Sequence, residues 1–227
     1  MKLLFTVHLS FVSLFTASQS IDTAKKETFS FHAQATVVEQ YKPSFGAKYS
    51  GANSLTTTEE NQSTITSTLY AGTRFWKNAT VYLNPEISGG SGLSRTLGVA
   101  SSTNGESFRV GSTAPKIYLA RLFKQQLFPL TEKAKYEEAD VNQLAGNLPE
   151  KYISVTLGKI ALSDYFDNNS YSHDPRTQFM SWALMANGAW DYPANTRGYT
   201  NALVVAYVTL LRLCLFSRPC RKAGHGR

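Results

Sequence analysis

The chain has 227 residues, of which 12% are aromatic and 17% are charged, a composition typical of a folded protein and unlike a disordered one. Its formal net charge of +7 would favour a nucleic-acid partner, but five of the 23 basic residues and none of the 16 acidic residues lie in 201–227. The remaining 200 residues are nearly neutral, so no nucleic-acid partner is predicted for them. Both cysteines, Cys214 and Cys220, also lie in 201–227, which excludes a disulfide framework in the preceding residues.

The first 20 residues have the features of a secretory signal peptide. Lys2 supplies a short positive region, an apolar stretch follows, and small and polar residues lead to Ser20, after which cleavage is expected. A membrane anchor is the alternative, and His8 with its neighbouring Ser and Thr residues argues against it. Export without cysteines in the body of the chain is more typical of a bacterial envelope than of a disulfide-rich extracellular module. We predict a mature body over 21–200.

Three segments after the signal peptide alternate between apolar and polar residues, the pattern of strands with one apolar face. They predict strands near 29–41, 63–75 and 79–87, and two further strands are predicted near 116–124 and 152–161. Glu39 interrupts the apolar face of the first strand near its end. The apolar positions of the first three strands are Phe29, Phe31, Ala33, Ala35, Val37, Tyr41, Ile65, Leu69, Ala71, Phe75, Val81 and Leu83. The predicted fold class is all-β and antiparallel.

The connections between these strands alternate in length. A long polar connection separates the first two strands, only the three residues of "WKN" separate the second and third, and a long Gly-rich connection follows. Short turns on one side and long loops on the other are typical of outer-membrane β-barrels. The strands also have about the 9–11 residues that a tilted strand needs to cross a bilayer. A secreted β-sandwich is the alternative that this pattern leaves open.

Several motifs in chain order resemble the carbohydrate-selective porin family, the OprB type of Gram-negative outer membranes. They include "GTRFW" at 72–76, "YLNPE" at 82–86, "NGE" at 104–106 and "LGKIALSDYFDNNSYSHDPRTQFMSWALM" from 157, within a resemblance that extends from Phe29 to Thr200. The resemblance implies a transmembrane antiparallel barrel whose water-filled lumen passes carbohydrates by diffusion. It also implies contact with outer-membrane lipid and lipopolysaccharide, assembly by the barrel-insertion machinery, no enzymatic activity and no cofactor.

Four residues are candidates for contact with a sugar. Arg74, Tyr82 and Glu86 occupy the polar, lumen-facing positions of their strands, and Arg121 in "KIYLARLF" is included with them. Opposite charges held across a constriction select solutes through hydrogen bonding and electrostatics. For each residue, the alternative is an ordinary solvated group in the lumen.

The segment from Ser170 to Thr200 and the residues just before it are rich in rings and hydrogen-bonding groups and have no period. A pore that favours sugars needs both, because a sugar presents C–H groups on its faces and hydroxyls around its edge. We therefore predict that this segment folds inward or forms outer-loop structure near the pore. The rings are Tyr165, Phe166, Tyr171, Trp182, Trp190 and Tyr192, and the polar groups are Asp164, Asp167, Asn168, Asn169, Asp174, Arg176 and Gln178.

Other chemistry has little support in the sequence. The four histidines lack metal-ligand spacing, and the acidic residues between Asp164 and Asp174 lack the pattern of a calcium loop, so no metal site is predicted. Glu86 and Glu106 are carboxylates of the kind used in glycoside hydrolysis, but their separation in space does not follow from the sequence. A secreted glycan-binding β-protein or a glycoside hydrolase is therefore the alternative function.

Two parts of the chain depart from the family pattern. Residues 131–151 are long for a periplasmic turn, and Val141 and Leu144 predict a short helix there. Alternation is expected to stop at Asn201, and 201–227 are interpreted as an aberrant, frameshifted tail. The expected strands number about half of those in sugar-passing porins. We predict an incomplete barrel that does not form a sugar channel by itself.

Overall fold

The computed structural model describes residues 26–98, 102–107, 113–166, 169–185 and 197–209. Within them lie eight strands: β1 Phe29–Lys42, β2 Glu60–Trp76, β3 Ala79–Gly90, β4 Lys116–Pro129, β5 Ala134–Glu137, β6 Gly146–Pro149, β7 Lys151–Ala161 and β8 Tyr199–Thr209. No helix among these residues has the length and apolar character needed to span a membrane. The proposed signal peptide and residues 210–227 of the proposed tail lie outside the described residues.

Six of the strands form one antiparallel sheet in the order β1-β2-β3-β4-β7-β8, and β5 and β6 form a separate hairpin. The sheet is not closed, because β1 and β8 have one strand neighbour each in the part of the chain that the structure describes. The predicted all-β antiparallel class and the incomplete barrel of porin type are confirmed. All five predicted strands are present, and several extend beyond the predicted bounds.

The two faces of the sheet follow the alternation in the sequence. Phe31, Leu69 and Leu83 are exposed on the outer face, while the residues that alternate with them are mostly buried. The exposed apolar positions continue across β4, β7 and β8 with Ile117, Leu122, Phe128, Leu157, Leu203, Val205 and Tyr207. A continuous exposed apolar surface is typical of the lipid-facing side of a membrane barrel.

The connections define two ends of the sheet. At one end, here called the turn side, Lys77 and Asn78 join β2 to β3, and Asn78 adopts φ 60°, a left-handed conformation that Asn tolerates in tight turns. The segment 130–150 between β4 and β7 lies at the same end. The long connections 43–59, 91–115 and 162–198 leave and rejoin the sheet at the opposite end, here called the loop side.

A β-bulge in β4 sets which side chains face inward. Asn84 pairs with Arg121 and the next residue, Pro85, pairs with Leu119, so Ala120 has no partner on β3. Tyr118 and Arg121 are three positions apart and would lie on opposite faces of a regular strand. Because the bulge inserts one residue between them, both share the inner face.

Two predictions about the chain are corrected by the structure. Residues 131–151 do not form the predicted short helix, because β5 and β6 pair as an antiparallel hairpin around the connection 138–145. Alternation does not stop at Asn201, because β8 continues to Thr209 and pairs with β7 along its whole length. The apolar run in β8 does alternate. Leu203, Val205 and Tyr207 lie on the exposed outer face, and the smaller Ala202 and Ala206 lie on the inner face.

Candidate functional site

Four successive inward-facing residues of β3 each contact a different part of the chain. From the turn side to the loop side they are Tyr82, Asn84, Glu86 and Ser88, and all four are buried. Tyr82 packs in an apolar cluster with Leu144, Asn84 hydrogen-bonds Asn142, Glu86 binds Arg176 and Ser88 accepts a hydrogen bond from Arg197. The inner face of β3 is therefore covered by chain from both ends of the sheet.

Glu86 is the centre of the polar part of this site. Its side chain is 3% exposed, and its Oε2 lies 3.0 Å from Nη2 of Arg176. The hydroxyl groups of Thr68 on β2 and Tyr118 on β4 donate hydrogen bonds to the same carboxylate. A buried charge is tolerated only when it is paired and hydrogen-bonded, and both conditions are met here.

Arg176 connects the loop-side segment to two strands and a second loop. Its Nε lies 3.0 Å from Glu106 Oε2, and its Nη1 donates a 3.0 Å hydrogen bond to Thr68 Oγ1. Burial lowers the pKa of this guanidinium, but the negative charges of Glu106 and Glu86 outweigh burial and hold the pKa well above its usual value. The guanidinium therefore fastens the loop-side segment to the wall at a fixed point.

Local hydrogen bonds shape the loop-side segment, residues 169–185, around Arg176. Asp174 Oδ1 accepts the Arg176 N–H at 3.0 Å, and Gln178 Oε1 accepts the N–H groups of His173 and Asp174. The segment also meets the 102–107 loop, where Gly105 N–H donates to Met180 O at 2.6 Å and Trp182 N–H donates to Ser102 O at 2.9 Å. This stretch was predicted to fold inward or to form outer-loop structure near the pore, and within 169–185 Arg176 reaches the inner face at Thr68 and Glu86. Asp167, Asn168, Trp190 and Tyr192 lie outside the described residues.

A second ion pair lies beside the first. Arg121 on β4 binds Asp164 in a bidentate arrangement, with Nε to Oδ2 at 2.7 Å and Nη2 to Oδ1 at 2.6 Å. The Arg121 guanidinium also lies 5.4 Å from the centre of the Tyr199 ring, and that ring lies 6.2 Å from the ring of Tyr118. Cation and ring pack against each other on the inner face, and both are largely buried, with Tyr199 9% exposed and the Arg121 side chain 15% exposed.

Arg197 extends this group towards the loop side. Its guanidinium lies 4.0 Å from the centre of the Tyr118 ring, and its Nη1 donates to Ser88 Oγ at 2.9 Å. Tyr118 is therefore stacked by one arginine while its hydroxyl binds Glu86. Three arginines and three carboxylates occupy the same inner region: Arg121, Arg176, Arg197, Glu86, Glu106 and Asp164.

The four residues predicted to contact sugar are divided between two places. Glu86 and Arg121 lie in the polar group, on paired strands. Tyr82 faces inward but is 3% exposed and packs against Phe123 with ring centres 5.0 Å apart. Arg74 lies at the turn side, where its Nε donates to Glu27 O at 2.6 Å and its Nη2 to Ala145 O at 2.9 Å. Sugar contact at each of them stays a prediction.

Sequence reasoning missed several residues of the polar group. Thr68 shares the lumen-facing parity of Arg74, so its inward orientation was available from the alternation in β2. The inward orientation of Tyr118 depends on the bulge at Ala120, and no pattern in the sequence predicts that bulge. Asp164 and Arg176 were recognised as polar groups of the inward segment, but their partners were not. The described residues contain no group of three or more His, Cys, Asp or Glu side chains that could hold a metal ion.

An antiparallel wall with an apolar outer face and an ion-paired inner face onto which a loop folds is the wall of an outer-membrane barrel of the porin class. A family model described as "Carbohydrate-selective porin, OprB family" matches residues 52–209, more than half of the chain, and the chain belongs to this family. The resemblance inferred from the sequence motifs is confirmed and extends past Thr200 to the end of β8. Neither the curated proteins nor the solved structures contained a match to the chain.

Proposed function

We propose that this chain supplies the wall and the loop-side constriction of a pore through which mono- and small oligosaccharides diffuse. Family membership supports carbohydrate passage in general. The observation that carries the finer proposal is the balanced charge of the inner polar group, in which Arg121 and Arg176 pair with the three carboxylates and Arg197 binds Ser88 and Tyr118 beside them. A lining of this kind offers donors and acceptors without a strong field of either sign, which suits uncharged solutes.

Arg121 is the residue best placed to meet a sugar directly. Its guanidinium is fixed by Asp164, and the pair stays partly exposed, with 15% of the Arg121 side chain and 32% of the Asp164 side chain accessible, so a sugar hydroxyl could hydrogen-bond there. Glu86 is covered by Arg176 and Tyr118, and we assign it the role of holding the loop-side segment in place. Arg74 and Tyr82 lie nearer the turn side, outside this polar group.

The setting follows from the family and the outer face. Members of the family are outer-membrane proteins of Gram-negative bacteria. We propose that residues 1–20 direct export as a signal peptide, that the barrel-insertion machinery assembles the strands, and that outer-membrane lipid and lipopolysaccharide cover the exposed apolar side chains. The alternative of a secreted glycan-binding protein or hydrolase predicts recovery without detergent, whereas this proposal predicts extraction only with detergent.

The open sheet limits what the described strands can do alone. A barrel of about eight strands has an interior just filled by side chains, and a sugar channel needs about twice that number. We propose that the six strands of the open sheet enclose a channel only when further strands complete the barrel, and that the 227-residue chain by itself is a non-conducting part of one.

Sugar contact can be tested without a closed channel. The full chain is refolded in detergent micelles, and saturation transfer from protein to glucose or maltose is measured by NMR. We expect transfer to the sugar C–H groups, reduced several-fold in Arg121→Ala and unchanged in Arg95→Ala, a control on the exposed loop side. Absence of transfer from the folded chain, or equal transfer from the Arg121→Ala variant, would refute the assignment of Arg121.

A further inference from the structure

The turn-side segment, residues 138–146, also lies against the inner face of the sheet. Leu144 is 1% exposed and packs with Tyr82, Phe123 and Ile160, one inward residue from each of three adjacent strands. Two residues earlier, Asn142 Oδ1 accepts a 2.9 Å hydrogen bond from Asn84 Nδ2. This segment therefore occupies space that belongs to the lumen of a porin barrel, and it enters from the end opposite to the loop-side segment.

A compact hydrogen-bonded node holds the turn-side segment in this position. Glu27 N–H donates to Ala145 O at 3.0 Å, and Ala145 N–H donates to Glu27 Oε2 at 2.9 Å. Arg74 donates to both backbone carbonyls, to Glu27 O at 2.6 Å and to Ala145 O at 2.9 Å. The node thus ties the residues just before β1 to the inward segment, with the guanidinium of a β2 residue between them.

Glycine at 146 allows Arg74 to approach this closely. Gly146 has φ +151°, and a Cβ at this position would lie 2.7 Å from Arg74 Nη2. Only glycine adopts this backbone angle readily, and only glycine leaves room for the guanidinium. Glycine at position 146 is therefore required for the close contact between Arg74 and the turn-side segment.

We propose that the turn-side segment is a second constriction of the pore, independent of the loop-side segment, and that Arg74 and Glu27 are positioning residues that hold it. The proposal rests on the proposed function for the existence of a passage. The two segments contact successive inward residues of β3, Asn84 for the turn-side segment and Glu86 for the loop-side segment, about 7 Å apart along the strand. Two stacked layers of backbone lie about 10 Å apart, so the turn-side segment projects roughly that far from this wall into the passage.

The test measures how fast a water-soluble reagent reaches the buried contact between the turn-side segment and the inner face of the sheet. No sugar is present. In a chain with Cys214→Ser and Cys220→Ser, one reporter is Leu144→Cys and the matched exposed reporter is Val141→Cys, at a position 48% exposed. Each chain is refolded in micelles, its strand content is checked by circular dichroism, and the rate of reaction with a water-soluble maleimide is measured. We expect the thiol at 144 to react at least about tenfold more slowly than the thiol at 141, because it is released only by local opening.

The positioning role is tested by adding a second substitution to the Leu144→Cys chain. Arg74→Ala and Glu27→Ala should each raise the rate at 144 towards the rate at 141, while Arg95→Ala should leave it unchanged. Glu27→Gln keeps a side-chain oxygen that accepts the Ala145 N–H, so it should preserve the slow rate. Glu27 lies outside the strands, so Glu27→Ala and Glu27→Gln are not expected to change the strand content. Comparing their rates at 144 therefore tests the positioning role even if Arg74→Ala lowers the strand content.

Equal rates at 144 and 141 in a chain of normal strand content would overturn the constriction. A slow rate at 144 that neither Arg74→Ala nor Glu27→Ala increases would overturn the positioning roles. Neither outcome depends on sugar, so failure here is distinguishable from failure of saturation transfer at Arg121.

Discussion

The buried carboxylate of Glu86 explains why the loop-side segment has a defined place. Removing a carboxylate from water costs several kcal/mol, and the attraction of Arg176 with hydrogen bonds from Thr68 and Tyr118 offsets that cost. The raised pKa of Arg176 means that its contribution to stability is present below the unfolded-state pKa and is lost only as pH rises through the folded-state pKa. The ion pair therefore persists throughout the neutral range.

Substituting Arg176 tests the fastening at the scale of one residue. Arg176→Ala leaves Glu86 buried without its counter-ion, so we expect a loss of about 3–5 kcal/mol in the free energy of unfolding and faster proteolysis within residues 169–185. Urea unfolding in micelles, followed by tryptophan fluorescence, measures the first effect. Lys135→Ala is the control, because its 3.2 Å pair with Glu137 is about half exposed and should contribute only about 0–1 kcal/mol. Similar losses in the free energy of unfolding for Arg176→Ala and Lys135→Ala would contradict the role of Arg176 in holding the loop-side segment on the sheet.

At the scale of the strand, the outer face has a chemical profile along its length. On β1, Phe29 and Phe31 lie near the turn side and Tyr41 near the loop side, with Ala33, Ala35 and Val37 between them and the charged Glu39 next to Tyr41 at the loop-side border. Ten residues of a strand tilted by about 40° rise about 25 Å, which is the height of the apolar band of a membrane barrel. Aromatic rings at both borders with aliphatic residues between them are typical of strands that cross a bilayer.

Substitutions at two depths of β2 test this profile. Leu69 lies in the middle of the strand and Phe75 near its turn-side end, both on the exposed face. We expect Leu69→Arg to cost about 2–4 kcal/mol in lipid bilayers and Phe75→Arg about 0–1 kcal/mol, because the cost of a cation falls towards the interface. Urea titration of the chain folded into lipid vesicles measures both. Equal costs at the two positions would argue that this face does not meet hydrocarbon.

At the scale of the whole molecule, the two edges of the sheet decide whether the chain can conduct. Along β1 and β8 the sheet has no further strand among the described residues, and an unpaired backbone group in hydrocarbon costs several kcal/mol. An open edge also favours pairing with another chain, which leads to aggregation. The outer face and the inner site are those of a porin wall, whereas closure needs additional strands.

Liposome swelling tests this limit. Vesicles that contain the purified 227-residue chain should not swell in isotonic glucose or maltose, because the six strands of the open sheet among the described residues do not enclose a lumen wide enough for a sugar. A closed sugar-passing barrel in matched vesicles is the positive control, and planar-bilayer conductance is the second readout. Sugar-driven swelling with the 227-residue chain would contradict the prediction and would indicate that several copies assemble one barrel.

Much of the wall was determined by the sequence alone, because strand identity and facing are local properties. The alternation that placed Phe31, Leu69 and Leu83 on one face requires only that successive side chains point to opposite sides of a strand. The family motifs likewise could be recognised without coordinates. The end of the alternation was misjudged at Asn201, since small and large apolar residues both occupy β8 and hide its period from a pattern based on polarity.

Only the tertiary structure decided which inward residues meet. Arg176 reaches Glu86 across ninety positions of the chain, and Arg74 reaches Ala145 across seventy-one, distances over which local pattern carries no information. The bulge at Ala120 moves Tyr118 and Arg121 to one face because the register of β4 against β3 shifts by a residue, and that shift exists only when both strands are paired. The positions of the loop-side and turn-side segments on the inner face are likewise products of packing, since each segment is held by residues that come together only when the sheet has formed.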